Sequence, residues 1–147
     1  MEIRNCLVDT NVLLRMTRRS EEQAIIRRAL RQLRLQNATL CYTHQNIAEL
    51  WNVLTRPVQV NGLGLSVAEA EIEVHAIETA MRLVPDNASV YREWRRILLE
   101  YGVSGTQVYD ARLVAAMYVH GITHMLTLNV SDFQRFLHIE VLHPSAV

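Results

Sequence analysis

Apolar and polar residues recur along the chain with two periods, one typical of β-strands and the other of α-helices. Short apolar runs bounded by polar or glycine residues predict five strands, at residues 6–8, 38–42, 83–84, 124–128 and 139–142. Between the strands, apolar residues spaced three or four apart predict helices that begin near residues 20, 43, 66, 86 and 107. Strands that alternate with helices usually pair in parallel through right-handed crossovers. The expected fold is therefore α/β, a three-layer α/β/α sandwich around a central, mostly parallel five-stranded sheet.

Capping residues mark several of the predicted helix starts. Ser20 and Ser66 are each followed three positions later by a side chain that can complete a capping box, and Thr43 can also cap a helix. The helix over residues 107–119 is so poor in charge that Asp110 stands out in it. We expect this helix to be covered on most sides and central to the fold.

The length and composition of the chain suit one globular domain. Half of its 147 residues (50%) are hydrophobic, so we expect a single domain over residues 1–147 with a substantial core. Acidic and basic residues are equal in number, 15 of each, and a strong general attraction to nucleic acid is not predicted. One region is nevertheless basic, and its arginines are Arg15, Arg18, Arg19, Arg27, Arg28, Arg31 and Arg34. They form either a solvated helix face or a local site for nucleic acid.

The chain contains no lysine, which excludes several kinds of chemistry. A Walker-type phosphate loop, a Schiff-base enzyme and a phosphorelay receiver domain each need a lysine in the site. Cys6 and Cys41 lie in apolar segments without metal-site or redox spacing, which favours buried free thiols and a reducing compartment. The chain shows no hydrophobic signal core, and no apolar run approaches the ~20 residues that span a bilayer. We therefore expect a soluble, cytoplasmic protein without membrane contact.

Asp9 is the most informative residue, because it places a carboxylate inside a nearly continuous apolar run, residues 6–14. A charge that leaves water costs several kcal/mol unless it is paired, hydrogen-bonded or bound to a metal. We expect the run to form a buried strand that opens into a polar turn at Asp9, Thr10 and Asn11. The carboxyl ends of strands carry the sites of open α/β sheets, so a functional role is favoured over a structural Asx turn.

Other oxygen-bearing side chains accompany Asp9. Glu49 lies in the helix after the second strand, Asp110 lies in the apolar late helix, and Asn129 and Asp132 follow the fourth strand. Oxygen ligands without cysteine or histidine suit a hard divalent cation, Mg²⁺ or Mn²⁺. Such an ion would relieve the repulsion between the carboxylates and could activate water toward a phosphodiester.

Each of these acids also has a plainer interpretation. Asp110 could complement the positive end of its helix, although the apolar surroundings favour function. Glu49 falls nearly opposite the apolar stripe of its helix and would ordinarily be solvated. Asp132 could be an acid in the first turn of a helix with no further role, and for it the two interpretations are evenly balanced.

The order and spacing of these motifs resemble the PIN-domain family, in particular the single-domain ribonuclease toxins of VapC type. The resemblance spans essentially the whole chain. Its carriers are residues 7–13, Thr43 with Glu49 six positions later, residues 108–116 and residues 127–133.

The resemblance implies a metal-dependent endoribonuclease whose acids bind one or two Mg²⁺ or Mn²⁺ ions and activate water. Asp9, Glu49 and Asp110 inherit the metal-site and catalytic roles. Many relatives carry an acid where this chain has the neutral Asn129, which remains an oxygen ligand. Asp132 matches a later acid of the same motif, so it is a further metal and catalytic candidate that could supply the missing charge. The occupancy of a second metal position is therefore an open question.

The resemblance further implies an RNA substrate, a homodimer, and a small antitoxin whose tail lies in the active-site groove. Asn11 falls where the family often has a small polar residue that could orient Asp9 or a water. Arg15, Arg18 and Arg19 are candidates for contacts with RNA phosphates, or they pair with acids early in the next helix.

Two other functions are compatible with parts of the sequence. A catalytically weak PIN-like module that binds RNA or protein is favoured by the neutral Asn129 and by the zero net charge. A phosphatase of the haloacid-dehalogenase type is far less favoured, because Asn11 stands where that chemistry needs a second acid.

Overall fold

A computed structural model describes residues 2–17 and 21–147, and a five-stranded sheet is its central element. The strands are β1 (Asn5–Val8), β2 (Thr39–Thr43), β3 (Arg82–Val84), β4 (His124–Leu126) and β5 (Glu140–Leu142). They lie in the order β3-β2-β1-β4-β5, and every pairing is parallel. β1 is the middle strand, where Cys6 pairs with Leu40 on one side and with His124 on the other. The predicted parallel sheet is confirmed.

Six α-helices occur in the described part of the chain. They are α1 (Thr10–Met16), α2 (Glu21–Leu35), α3 (His44–Thr55), α4 (Val67–Ala80), α5 (Ala88–Glu100) and α6 (Gln107–His120). Short 3-10 turns cover Val58–Val60, Val130–Asp132 and Pro144–Ala146. None of the described helices is both long and apolar enough to cross a membrane.

The helices cover both faces of the sheet because the side chains of β1 alternate between two cores. Cys6 and Val8 are buried in a core shared with α1, α2, α3 and α4. Leu7 is buried in the opposite core, which α5 and α6 cover. Every residue of α6 from 113 to 117 is buried, as its apolar sequence predicts. These two cores confirm the three-layer α/β/α sandwich.

The helix starts follow the predicted capping chemistry where the structure describes them. Thr43 caps α3 in a capping box with Asn46, and Ser66 caps α4 in a capping box with Glu69. The capping box predicted at Ser20 lies outside the described residues. Asn87, and not Asp86, caps α5, so this helix begins two residues later than predicted.

The polar turn predicted after β1 is wrong. α1 begins at Thr10, directly after the strand, and Asp9 is its N-cap, since Asp9 Oδ1 accepts a hydrogen bond of 2.8 Å from the Thr10 backbone N–H. Val12 and Leu13 give this short helix a buried face. The polar residues therefore form a helix N-terminus at the carboxyl end of β1.

Candidate metal centre

Asp9 lies at the carboxyl end of the central strand and is 8% exposed. Its Oδ1 accepts from the Thr10 N–H, and its Oδ2 accepts from the Thr127 hydroxyl over 2.8 Å. Burial raises the pKa of Asp9, the two hydrogen bonds oppose this rise, and the charges of Glu49 and Asp132 add to it. The carboxylate is thus buried, oriented and close to other negative charge.

The hydroxyl of Thr127 connects β4 to this carboxylate. Thr127 is fully buried, donates to Asp9, and accepts from Asn11 Nδ2 at 3.3 Å and from the Asn129 N–H at 3.0 Å. Asn11 Oδ1 in turn accepts from the Leu128 N–H at 3.2 Å. Asn11 therefore acts on Asp9 through Thr127, a residue that the sequence analysis included in a motif without giving it a role.

Glu49 is half-buried and hydrogen-bonded on both carboxylate oxygens. Its Oε2 accepts from the Thr10 hydroxyl at 2.9 Å, and its Oε1 accepts from Gln45 Nε2 at 2.7 Å. Asn46, which is fully buried, donates to the Thr10 hydroxyl at 3.0 Å. The helical wheel alone places Glu49 in solvent, but α3 carries a second, polar face that packs against the start of α1.

Asp110 lies in the first turn of α6 and is half-buried. Burial and the negative charges of Asp9, Asp132 and Glu49, in that order, raise the pKa of Asp110 to about 6, and Arg135 partly opposes them. Electrostatic coupling of this kind falls off with distance, so three of the predicted acids lie near Asp110.

Asn129 and Asp132 lie at the two ends of the turn that follows β4. Asn129 caps the 3-10 turn Val130–Asp132, and both side chains are exposed. The charge of Asp132 contributes to the raised pKa of Asp9 and to that of Asp110, so its carboxylate lies within electrostatic range of both. Asn129 is joined to the same cluster through its backbone contact with Thr127.

The acids gather without a matching number of positive charges. Within residues 2–17 and 21–147, no arginine or histidine forms an ion pair within 4.0 Å with Asp9, Glu49, Asp110 or Asp132. Arg135 lowers the pKa of Asp110, but its guanidinium is hydrogen-bonded to Gln107 Oε1 at 2.7 Å. The charges of the other acids raise the pKa of Asp9 and of Asp110, and carboxylate oxygens without cysteine or histidine are the ligands that a hard divalent cation prefers.

A second acidic group lies elsewhere on the surface. Glu71, His75 and Glu78 on α4 are exposed, and their ligand atoms lie within 4.8 Å of one another. None of them belongs to the predicted set. The four predicted acids are not grouped this closely among the described residues, and wider spacing suits an ion such as Mg²⁺, which keeps several of its waters.

The arginines predicted to contact RNA are placed only in part. Arg15, at the end of α1, forms an ion pair of 2.8 Å with Glu22 of α2, which is the alternative that the sequence analysis left open. Arg18 and Arg19 lie outside the described residues. Cys6 and Cys41 are buried free thiols, as predicted.

A model of the PIN domain matches residues 6–136, most of the chain, and the chain belongs to the PIN-domain family. The matched range contains every predicted site residue. No curated protein matches the sequence.

Several solved structures share the fold. VapBC2 from Rickettsia felis, bound to a promoter DNA fragment, aligns with a TM-score of 0.71 at 13% identity over 95% of this chain and 98% of its own. DNA-bound VapBC from Salmonella typhimurium aligns with a TM-score of 0.70 at 16% identity over 96% and 98%. VapC20 from Mycobacterium tuberculosis, a toxin that cleaves the sarcin-ricin loop, aligns with a TM-score of 0.58 at 15% identity over 82% and 86%. At these identities the likeness is one of fold.

Proposed function

We propose that the chain is a metal-dependent endoribonuclease that hydrolyses RNA phosphodiester bonds. The observation that carries the proposal is the Asp9 carboxylate at the carboxyl end of the central strand, where burial and then the charges of nearby acids raise its pKa and that of Asp110, and where neither forms an ion pair within the described residues. Repulsion between these acids lowers the stability of the metal-free protein, and a bound cation would offset that repulsion. Membership of the PIN-domain family supports the same chemistry.

Asp9, Glu49 and Asp110 would hold Mg²⁺ or Mn²⁺, with Asn129 and Asp132 contributing from the turn after β4. The ion would supply the positive charge that a phosphodiester needs as negative charge develops on its oxygens. Each oxygen of Asp9 accepts one hydrogen bond from the protein, which leaves it a second lone pair for a ligand. The hydrogen bonds to Glu49 fix its carboxylate in the same way.

We further propose that the protein is the toxin of a toxin–antitoxin pair. The structures that share its fold include VapBC complexes and a toxin that cleaves the sarcin-ricin loop. We expect each subunit to consist of one PIN-like domain over residues 1–147. Two subunits would form a homodimer, and a small antitoxin would lie in the groove beside the acids. RNA cleavage would take place in the cytoplasm, where two free buried thiols are stable.

Incubation of the purified protein with total cellular RNA and Mn²⁺ or Mg²⁺ tests the nuclease. Discrete fragments are expected from the wild type, and none from Asp9→Asn or in the presence of a chelator. Glu71→Gln, which removes an exposed acid from α4, is the matched control and should cut normally. Asp9→Asn should be at least as stable as the wild type, because it removes one of several crowded charges.

Cutting that survives both Asp9→Asn and the chelator would place the activity elsewhere. If Asp9→Asn fails to fold, Asp110→Asn provides the same test from a different helix. Fragments from a preparation of Asp110→Asn would then contradict the proposed centre.

A second function, an RNA- or protein-binding PIN module with weak catalysis, is favoured by one observation. The neutral Asn129 stands in an exposed turn beside Asp9, where a further carboxylate would strengthen metal binding. Mn²⁺ binding measured by calorimetry separates the two functions. Micromolar to millimolar affinity that is lost in Asp9→Asn supports the nuclease, and the absence of binding supports the module.

A further inference from the structure

An aromatic cleft lies between α5 and α6, beside the acids. Tyr91, Trp94 and Tyr109 line it, and its volume is about 460 Å³, within the range of small-ligand sites. Tyr91 is 59% exposed and Tyr109 is 56% exposed. Aromatic rings gathered in an open concave surface favour a planar ligand that can stack on them.

The cleft is held in shape by contacts of its own. Trp94 Nε1 donates to the Val108 carbonyl at 2.8 Å, which ties the indole of α5 to the start of α6. The ring of Tyr91 packs against the indole with centroids 6.2 Å apart and planes tilted by 58°. A ligand would therefore meet an indole whose position is already fixed, with the Tyr91 ring packed against it, which lowers the entropy lost on binding.

Charged groups border the cleft and limit what can occupy it. Arg112 and Asp86 also line it and form an ion pair there, with side chains 41% and 31% exposed. A purely apolar occupant would bury this pair without replacing its contact with water. A nucleobase offers a planar ring for the tyrosines together with polar edges for the guanidinium and the carboxylate.

The wall of the cleft is linked to the acidic site through Gln45 and through the backbone at Tyr109. Gln45 Nε2 donates to the carbonyl of Tyr109 at 2.9 Å and to Glu49 Oε1 at 2.7 Å. The next residue after Tyr109 is Asp110. The wall of the cleft and two of the proposed metal ligands are thus separated by no more than two hydrogen bonds.

We propose that this cleft binds one unpaired nucleobase of the RNA strand, next to the phosphodiester that lies over the acids. The base stacks against Tyr109 and Tyr91, and Arg112 engages its edge. This inference rests on the proposed function, since it assigns the cleft to the same substrate. It makes Tyr91 and Tyr109 determinants of where the strand is cut.

RNA binding measured without cleavage tests the cleft independently of the nuclease. A fluorescent single-stranded oligomer is titrated with the wild-type protein in a chelator, and binding is followed by anisotropy. Tyr109→Leu and Tyr91→Leu should each weaken binding by roughly 5- to 150-fold, which corresponds to the ~1–3 kcal/mol contributed by one base–aromatic stack. Tyr109→Phe keeps the ring and should bind within about twofold of the wild type.

Matched controls separate stacking from general loss of apolar surface. Leu99→Ala removes a side chain that is 78% exposed on the same helix as Tyr91, and it should leave RNA affinity unchanged. An abasic nucleotide at the site of tightest binding should weaken the wild type as much as Tyr109→Leu does, and should add nothing to that variant. Equal affinity for all variants, or for native and abasic oligomers, overturns the proposal.

Two further outcomes distinguish the cleft from the nuclease. If both tyrosine variants weaken RNA binding but the wild type cuts no RNA with Mn²⁺, the assignment of the cleft stands and the proposed nuclease function fails. If the Tyr109→Leu and Tyr91→Leu variants both cut RNA normally, the proposed nuclease function stands and the assignment of the cleft fails. If these variants instead change the molar mass in light scattering and leave RNA affinity intact, the rings belong to an interface between copies of the chain.

Discussion

Replacement of Thr127 by valine tests how the buried carboxylate of Asp9 is held. The hydroxyl of Thr127 is fully buried and donates to Asp9 Oδ2, so water cannot easily take its place in the variant. A hydrogen bond to a charged group contributes about 1.5–3 kcal/mol, and valine keeps nearly the same shape as threonine. Thr127→Val should therefore lower the free energy of unfolding by about 2 kcal/mol at neutral pH.

Urea denaturation followed by far-UV circular dichroism measures this loss. Thr55→Val is the matched control, since the Thr55 hydroxyl donates to the neutral Trp51 carbonyl within α3 and is partly exposed. Loss of such a bond inside a helix should change stability by less than about 0.5 kcal/mol. The difference between the two variants measures the loss of the bond to Asp9 together with the loss of the hydrogen bonds that Thr127 accepts from Asn11 and Asn129.

A double-mutant cycle then assigns the loss to the carboxylate. In an Asp9→Asn background the acceptor is neutral, so Thr127→Val should be about 1 kcal/mol less destabilising than in the wild type. If Thr127→Val is no more harmful than Thr55→Val, or equally harmful in both backgrounds, the Thr127 hydroxyl does not hold Asp9 in the way described.

Three other outcomes are expected. Asp110 has a folded pKa of about 6 against an ordinary value of 3.8, so the folded state binds its proton more tightly and metal-free stability falls as pH rises through this interval. The free energy of unfolding, measured with urea near pH 4 and pH 7, should fall by about 1 kcal/mol less in Asp110→Asn than in the wild type. The effect is this small because the Asp110 side chain is partly exposed. Asp132→Asn should reduce RNA cleavage at least about tenfold at unchanged stability if Asp132 supplies the charge absent at Asn129, and a loss below twofold makes it a turn residue. The buried Cys6, with its pKa raised to about 12, and the buried Cys41 should resist a thiol reagent at pH 8 until the protein is unfolded, and rapid labelling of the native protein would contradict their burial.

The fold could be predicted from the sequence because its periodic signals are strong. The alternation of Cys6 and Leu7 between two cores and the apolar α6 each reflect burial, which hydrophobic patterning encodes directly. The missed helix α1 shows the limit of that signal. The sequence pattern predicts only a polar turn after the strand, because a helix of seven residues has too few turns to show a period.

The site was harder to predict, because its residues act through polar partners from distant parts of the chain. Glu49 and Thr10 are 39 positions apart, and Asp9 and Thr127 are 118 positions apart. A helical wheel records how one helix faces an apolar core, but it does not show that Asn46 and Gln45 give α3 a second, polar contact. Only the resemblance to a family predicts a metal-site role for Glu49, which its helix position alone would make a solvated residue. No local sequence pattern indicates a role for Thr127.

The neutral Asn129 has a physical consequence that follows from this arrangement. Its backbone N–H bonds to Thr127, the residue that donates to Asp9, so an acid at this position would lie beside a carboxylate whose pKa is already raised. A further charge there would increase repulsion in the metal-free protein and raise the pKa of Asp110 above its present value of about 6. An amide avoids that repulsion and keeps an oxygen for a ligand, but it contributes no charge to attract a cation. On the proposed function, the amide at position 129 therefore means weaker metal binding at the turn after β4 and less repulsion in the metal-free fold, and Asp132 is the residue that we expect to supply the remaining negative charge.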